Sequence, residues 1–470
     1  MAERLLFLTG HLARPRLEKV LRGLGPTAFD WEICDIGVKV AALMTQAIIA
    51  RRLPRPLACD RVIVPGRCRA DLDALALEFS APFARGPDEL SDLPAFLGGK
   101  AKTADLSRHD IRIFAEIVDA SALSVDAVLS RAQSMRKAGA DVIDLGCLPD
   151  TAFPQLEDMV RELKRAGHSV SVDSASLDEL ARGGRAGADF LLSLTAASLD
   201  IAAQTGATPV LIPAKHGDLA SLLKAAEAAQ KRNIPCILDP ILDPIHFGLM
   251  ASLSRYAELR KRLPDAQILM GTGNLTELTD ADSGGLTTLL LGLCSELAVR
   301  NVLIVQVSPH TRRTIEEHDE ARRLMFAARE DGGLPKGYAT RLLQLHDRRP
   351  FPVTPLEIAE VAGKITDRNF RIETAEDGIH IYNRDGRHVA QDAFALFEKL
   401  GVATDGAHAF YLGAELMKAE TAWRLGKRYT QDEPMDWGVA VDVVDEDRTR
   451  LKEKGHTLRG DPSSRKAGEG

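Results

Sequence analysis

At 470 residues the chain is too long for one compact core, and two or three domains are expected. A hydrophobic share of 45% with 27% charged residues is ordinary for a soluble globular protein, and a net charge of −7 argues against a non-specific nucleic-acid binder while leaving room for small anions in a local cationic pocket. The six cysteines are scattered with no CxxC pair, which suggests neither a disulfide framework nor a zinc site. No segment approaches the ~18 uninterrupted apolar residues of a membrane span, so a soluble, cytoplasmic protein with reduced thiols is expected.

Residues 4–9, 30–36 and 60–65 read as buried strands, with helices over about 15–24, 38–51 and 70–79. Strands alternating with helices mean a parallel sheet, and three such units make a small doubly wound α/β domain of the Rossmann or flavodoxin kind over 1–100. Its strand ends carry Thr9-Gly10-His11, Asp35 with Gly37, and Pro65-Gly66-Arg67. Glycines there suit either a phosphate or an ordinary turn. Residues 86–110 are rich in Gly, Pro and Asp and read as a linker.

From Ile111 the same alternation runs eight times. The strands are 113–118 (IFAEIV), 141–146 (DVIDLG), 168–173 (HSVSVD), 189–194 (DFLLSL), 209–213 (PVLIP), 235–239 (PCILD), 267–271 (QILMG) and 301–307 (NVLIVQV). The helix-ending grammar of KAGAD at 137–141 recurs in RAGAD at 185–189. Eight βα units over 111–332 predict a closed parallel barrel, whose active site lies at the C-terminal strand ends. Past RPFPVTP at 349–355, a hairpin over 369–383 and helices over 391–400 and about 408–426 predict a C-terminal α+β domain spanning 345–445. The charged, apolar-poor tail over 446–470 is expected to be disordered. The fold class is therefore α/β: a (β/α)8 barrel flanked by two smaller domains.

The barrel's strand ends carry the chemistry. Asp173 and Asp239 follow the third and sixth strands, and Asp144 lies in the second. Carboxylates at these depths can accept paired N–H bonds from a planar amino-heterocycle, the face shown by a guanine or a pterin. The same aspartates also suit helix N-caps. Lys215 and His216 follow the fifth strand and either face the mouth or form a solvated pair. Asp243 reads as a turn cap rather than a metal ligand, and Glu277, Asp280 and Asp282 as a solvated acidic loop. Tyr411, Glu415 and Lys418 read as one side of a packing helix. The GxG at 271–273 lacks a dinucleotide fingerprint's third glycine and distal acid.

The series DVIDLG, SVSVDS, ILDP, a glycine-polar turn and a basic exit from the last strand resembles the pterin-binding barrel of dihydropteroate synthases, a fold shared with pterin-dependent methyltransferases. The three-part layout resembles the synthase-related proteins of tetrahydromethanopterin biosynthesis. That resemblance implies that Asp173 and Asp239 hold the amino-pyrimidinone edge of a reduced pterin. Asp144, Ser193 and Asn274 would line the same mouth. From the residues themselves, a mouth-facing Lys215 would serve an anion, and the carboxylates Glu116 and Asp119 would hold Mg2+, since hard cations prefer oxygen. The resemblance gives His310 with Arg312 or Arg313 the diphosphate or the phosphate of an arylamine. It also implies a cytoplasmic homodimer of one-carbon metabolism that joins a dihydropterin-methyl diphosphate to a ribofuranosylaminobenzene phosphate. The sequence departs from the synthase pattern at Ser193, where an Asn is usual. It departs again at GTGNLTE, which has no lysine and stands closer to the Ser-Asn turn of the methyltransferases. Two alternatives follow: a methyltetrahydropterin-dependent methyltransferase, and a non-catalytic pterin carrier subunit.

Overall fold

The structure, a computed structural model, describes residues 2–88, 90–98 and 105–441. The tail over 446–470 lies outside the described residues. The chain divides into two compact units, Met1–Ala339 and Thr340–Gly470.

The first unit opens with a parallel sheet of β1 (Glu3–Thr9), β2 (Phe29–Asp35), β3 (Arg61–Val64) and β4 (Phe83–Arg85), in the order β2-β1-β3-β4. Strand alternation sends Leu5 and Phe7 to one face, against Leu17 and Leu21 of helix Arg14–Arg22. Leu6 and Leu8 go to the other face, against Ile49 and Leu75. With both faces covered, the sheet is doubly wound. It has four strands where the hydrophobic pattern suggests three, because β4 is three residues long and too short to show a period. The 86–110 stretch is not only a linker: it contains helix Leu93–Phe96, and Leu93 is buried in this core.

The barrel follows. Its strands are β5 (Arg112–Ile117), β6 (Val142–Gly146), β7 (Ser169–Asp173), β8 (Phe190–Leu194), β9 (Thr208–Leu211), β10 (Ile237–Leu238), β11 (Gln267–Gly271) and β12 (Asn301–Ile304). They form a closed parallel barrel in which β12 pairs back to β5. This is the expected (β/α)8 architecture. Phe114, Val142, Phe190, Leu192, Val210, Ile237 and Leu269 fill its interior, with the rings of Phe114 and Phe190 edge to face at 5.0 Å.

The repeated AGAD grammar has a structural use. Gly139 (φ 121°) and Gly187 (φ 105°) end helices Val125–Ala138 and Leu177–Ala186. Each following aspartate then accepts from the backbone of the preceding strand: Asp141 from Ile113 N at 2.9 Å, Asp189 from Val170 N at 2.8 Å. Arg322, on helix Thr314–Glu330, sits at the same end with its side chain 2% exposed. It donates to Ile111 O (2.7 Å), Gly139 O (2.9 Å), Asp319 (2.6 Å) and Asp141, tying the last helix to the first strand. Removing it leaves Asp141 with the Ile113 N–H and Asp319 with Arg323, so Arg322→Ala is expected to cost about 1.5–3 kcal/mol in urea unfolding, the range of a charged hydrogen bond. A loss no larger than that of a surface substitution would mean that closure of the barrel does not depend on it.

The second unit holds an antiparallel sheet of β13 (Arg371–Ala375), β14 (Gly378–Asn383) and β15 (Gly386–Ala390). Ile372, Ile379 and Ile381 pack on helices Ala393–Leu400 and Gly406–Leu425, while Tyr382 packs on Ile358 of helix Pro355–Ala362. β15 extends the expected hairpin; its exposed GRHVA sequence has no apolar face to reveal it. No helix among the described residues is long and apolar enough to cross a membrane.

Candidate functional site

Strand alternation builds the site from the barrel floor upward. Phe114, Val142, Ser171 and Ile237 occupy inward positions, and two residues further along the same strands stand Glu116, Asp144, Asp173 and Asp239. A layer of acids therefore caps a layer that is apolar but for Ser171 at the C-terminal strand ends. Across neighbouring strands Glu116 pairs in register with Asp144, and Asp144 with Ser171. Glu116, Asp144 and Asp173 each bring a carboxylate oxygen within 4.8 Å of the others. Gly146 makes room for this: a Cβ there would collide with Glu116 Oε1 and lie 3.0 Å from Val118 Cα.

Asp144 is fully buried. Its Oδ1 accepts from the Ser171 hydroxyl, and its Oδ2 meets no donor. Asp239 is better supplied: Oδ1 accepts from Ile241 N at 2.7 Å and from the buried Tyr256 hydroxyl at 2.8 Å. Burial, then the neighbouring Asp173, pushes the Glu116 carboxyl up to about 7. Burial and Asp239 push Asp173 up to about 6. Asp144 is driven well above the carboxylate range by burial, Asp173 and Glu116, with the Ser171 hydroxyl pulling the other way. Burial raises Asp239 to about 6 against the opposing pull of Ile241 N, Tyr256 and Arg255. What raises Glu116, Asp144 and Asp173 is burial together with one another's carboxylates and that of Asp239. Such a cluster is satisfied by protons, by a metal ion, or by a ligand rich in N–H donors.

The other residues expected in the mouth fall differently. Asp119 does not join Glu116 in a metal pair. It lies three positions past Glu116, beyond the end of β5, and its carboxylate pairs with Arg131 at 2.6 Å. Ser193 stands at a register shift in β8, where strict alternation breaks. Asn274 uses Nδ2 to donate to Leu242 O at 2.7 Å, pinning the turn after β11 to the loop after β10. Lys215 is exposed beyond β9 and Arg312 beyond β12. His310 Nε2 lies 3.0 Å from Thr276 O, and Arg313 pairs with Glu316 at 2.7 Å. These four residues are spread over two loops, and none forms an ion pair with the acid cluster among the described residues.

Two acids serve other purposes than the pattern suggests. Asp243 is a buried ion-pair acceptor, 2.8 Å from Arg255 and 3.0 Å from His216, rather than a turn cap. Glu277 is not merely solvated: it accepts from Val307 N (2.8 Å), Ser308 N (3.0 Å) and the Thr311 hydroxyl (2.6 Å) and so fixes the exit from β12. Sequence reasoning missed Tyr256, Arg255 and His318. Buried His318, held at about 4 by burial, is neutral. Its Nδ1 donates to Thr314 O at 2.6 Å, leaving Nε2 to accept from Thr272 at 2.9 Å and anchor the turn after β11. Only the scarcity of tyrosine, five in the chain, marks Tyr256 beforehand.

Residues 3–88 match a family of unknown function, DUF6513. The chain is 25% identical over 525 positions to the uncharacterized protein MJ0107 of Methanocaldococcus jannaschii, covering 91% of this chain and 98% of that protein. Among solved structures it is similar to the dihydropteroate synthase of Yersinia pestis (21% identity, 49% of this chain and 98% of that one, TM-score 0.38). It is similar also to the synthases of Vibrio fischeri (17%, 49% and 96%, 0.37) and Thermus thermophilus (20%, 47% and 95%, 0.37).

Proposed function

We propose that the chain binds a reduced pterin at the barrel mouth and acts on it as a transferase. The observation that carries this is the convergence of Glu116, Asp144 and Asp173, with Asp239 beside them and Asp144 Oδ2 left without a donor. The amino-pyrimidinone edge of a pterin is a flat row of N–H donors. It would supply what buried carboxylates lack, with charge-assisted bonds that also fix its orientation. Among transferases we favour one that joins a dihydropterin-methyl diphosphate to a phosphorylated arylamine, as in tetrahydromethanopterin biosynthesis. The amine nitrogen attacks the exocyclic methylene, the C–O bond breaks, diphosphate leaves with its electron pair, and the proton shed by the nitrogen passes to the departing diphosphate or to water. The protein's part is to orient both partners and stabilise the departing anion. Lys215 and Arg312 are the cations and His310 an N–H donor available for that task, and Mg2+ would travel with the diphosphate.

A second reading rests on Asn274. The turn after β11 has no lysine, and its asparagine is tied to Leu242 O. A methyltransferase acting on a methylated reduced pterin needs no diphosphate site and tolerates that turn. To separate the two, the full chain is incubated with dihydropterin-methyl diphosphate and Mg2+, with and without the arylamine phosphate. Release of pyrophosphate that requires the arylamine is the expected result. Pterin binding without release, together with methyl loss from a methyltetrahydropterin to a thiol acceptor, would move the assignment to the second reading. Failure of either pterin to quench protein fluorescence at millimolar concentration would remove the pterin altogether.

A further inference from the structure

The strand order β2-β1-β3-β4 has a topological switch point between β1 and β3: the chain leaves β1 for one side of the sheet and returns on the other. In open parallel sheets the crevice beyond the strand ends at such a point is where ligands bind. A cavity of about 220 Å³ opens there. Thr9 ends β1 against it, Pro65, Gly66 and Arg67 follow β3, and Gly86 to Asp88 follow β4. The loops are held in place by backbone contacts. His11 N donates to Val38 O at 2.8 Å and Leu12 N to Lys39 O at 3.2 Å. Gly66 is packed so closely on the next loop that a Cβ would lie 2.5 Å from the Pro87 carbonyl. The glycine noticed in the sequence thus serves loop-on-loop packing that leaves the cavity preformed.

The walls are mostly apolar, from Phe7, Leu12, Leu17, Ile63 and Leu93, while among the described residues the charged groups at the cavity are Arg16, Lys39, Arg67 and Lys336 and the acid Asp88. Arg16 is committed to the structure: it donates to Lys336 O and Gly337 O and lies over the Tyr338 ring at 4.2 Å. Lys39 and Lys336 are exposed. Dry cavities of about 150 Å³ hold a benzene ring, so this one accommodates a single ring with its substituent reaching the cations. We infer that the N-terminal domain is a binding site, separate from the barrel mouth, for a small anionic ligand with one apolar ring: the ring sits among Leu12, Leu17 and Leu93 and its phosphate or carboxylate meets Lys39 and Lys336.

Phenyl phosphate, benzoate and uncharged benzyl alcohol are titrated calorimetrically into the full chain, its Lys39→Gln/Lys336→Gln variant, its Ala13→Phe variant and its Asp239→Asn variant. Ala13 lines the cavity, so the added ring fills it; circular dichroism confirms that each variant is folded. The two anions are expected to bind at one site and benzyl alcohol more weakly. Loss of both lysines should weaken the anions about tenfold. Ala13→Phe should remove binding, and Asp239→Asn should leave it unchanged. A preference for phenyl phosphate would identify a phosphate ester, and one for benzoate a carboxylate. The inference is overturned if neither anion binds at millimolar concentration, or if binding survives both cavity variants. It is overturned equally if Asp239→Asn abolishes binding, which would place the anion in the barrel.

Discussion

Asp239→Asn is expected to weaken binding of a reduced pterin about a hundredfold, with the fold retained. The direction follows from how the two oxygens are used. Ile241 N and the Tyr256 hydroxyl both bond Oδ1. An asparagine can keep that arrangement with its own Oδ1, and Nδ2 then replaces Oδ2, the oxygen left for a ligand. Donor would face donor, and the charge that strengthens the bond would be gone. Tyr256→Phe separates orientation from contact. The hydroxyl stabilises ionised Asp239, so its loss should raise the Asp239 pKa further above about 6. Binding by that variant should weaken by only a few-fold at pH 8, and its pH midpoint should move upward. In the parent chain binding should weaken as pH falls below about 6, where Asp173 and Asp239 take up protons. Fluorescence titrations from pH 5 to pH 8 read all of this. An Asp239→Asn protein that binds the pterin like the parent would remove β10 from the site.

How much of this is legible in the sequence depends on the range of the interactions involved. The eight barrel strands are visible because each is a local run of mostly aliphatic residues between helical segments, three of which end on a glycine. The acids at β6, β7 and β10 are visible for the same reason, since strand alternation converts a position into a face. What fails is what depends on distant partners. Glu116 and Asp119, three positions apart, read as one Mg2+ pair, yet the carboxylates beside Glu116 in space are Asp144 and Asp173, on two other strands. Asp243 reads as a turn residue until Arg255 and His216 are brought to it. Tyr256 gives no local sign of its bond to Asp239, because a tyrosine on an amphipathic helix is usually only packing. β4 and β15 escape because a three-residue strand and an exposed polar strand carry no hydrophobic period.

Glu116→Gln is expected to stabilise the ligand-free chain at pH 8 by on the order of 3 kcal/mol and to leave it nearly unchanged at pH 4. The folded carboxyl ionises near 7, above its ordinary value of 4.5. Between those values the unfolded chain has released the proton while the folded chain still holds it. The unfolded state then binds fewer protons, so stability falls as pH rises from about 4 to about 7 and levels off beyond. Asp173 and Asp239, both raised from 3.8 to about 6, slope the same way over a window about a unit lower. Glutamine keeps the shape of the side chain and removes one charge from the cluster, so the penalty on the folded state above pH 7 disappears. Comparing urea unfolding of parent and variant at the two pH values cancels every group the pair share. An equal gain at pH 4 and pH 8 would mean that Glu116 gains nothing from staying protonated, and the cluster would then lie open to water. The same measurement bears on function. A reduced pterin that donates N–H bonds to Asp144 and Asp173 relieves the crowding that raises them, so at saturation it should flatten the parent's slope between pH 4 and pH 7. Stabilisation by the pterin should therefore be greatest at the pH where the ligand-free cluster is most strained.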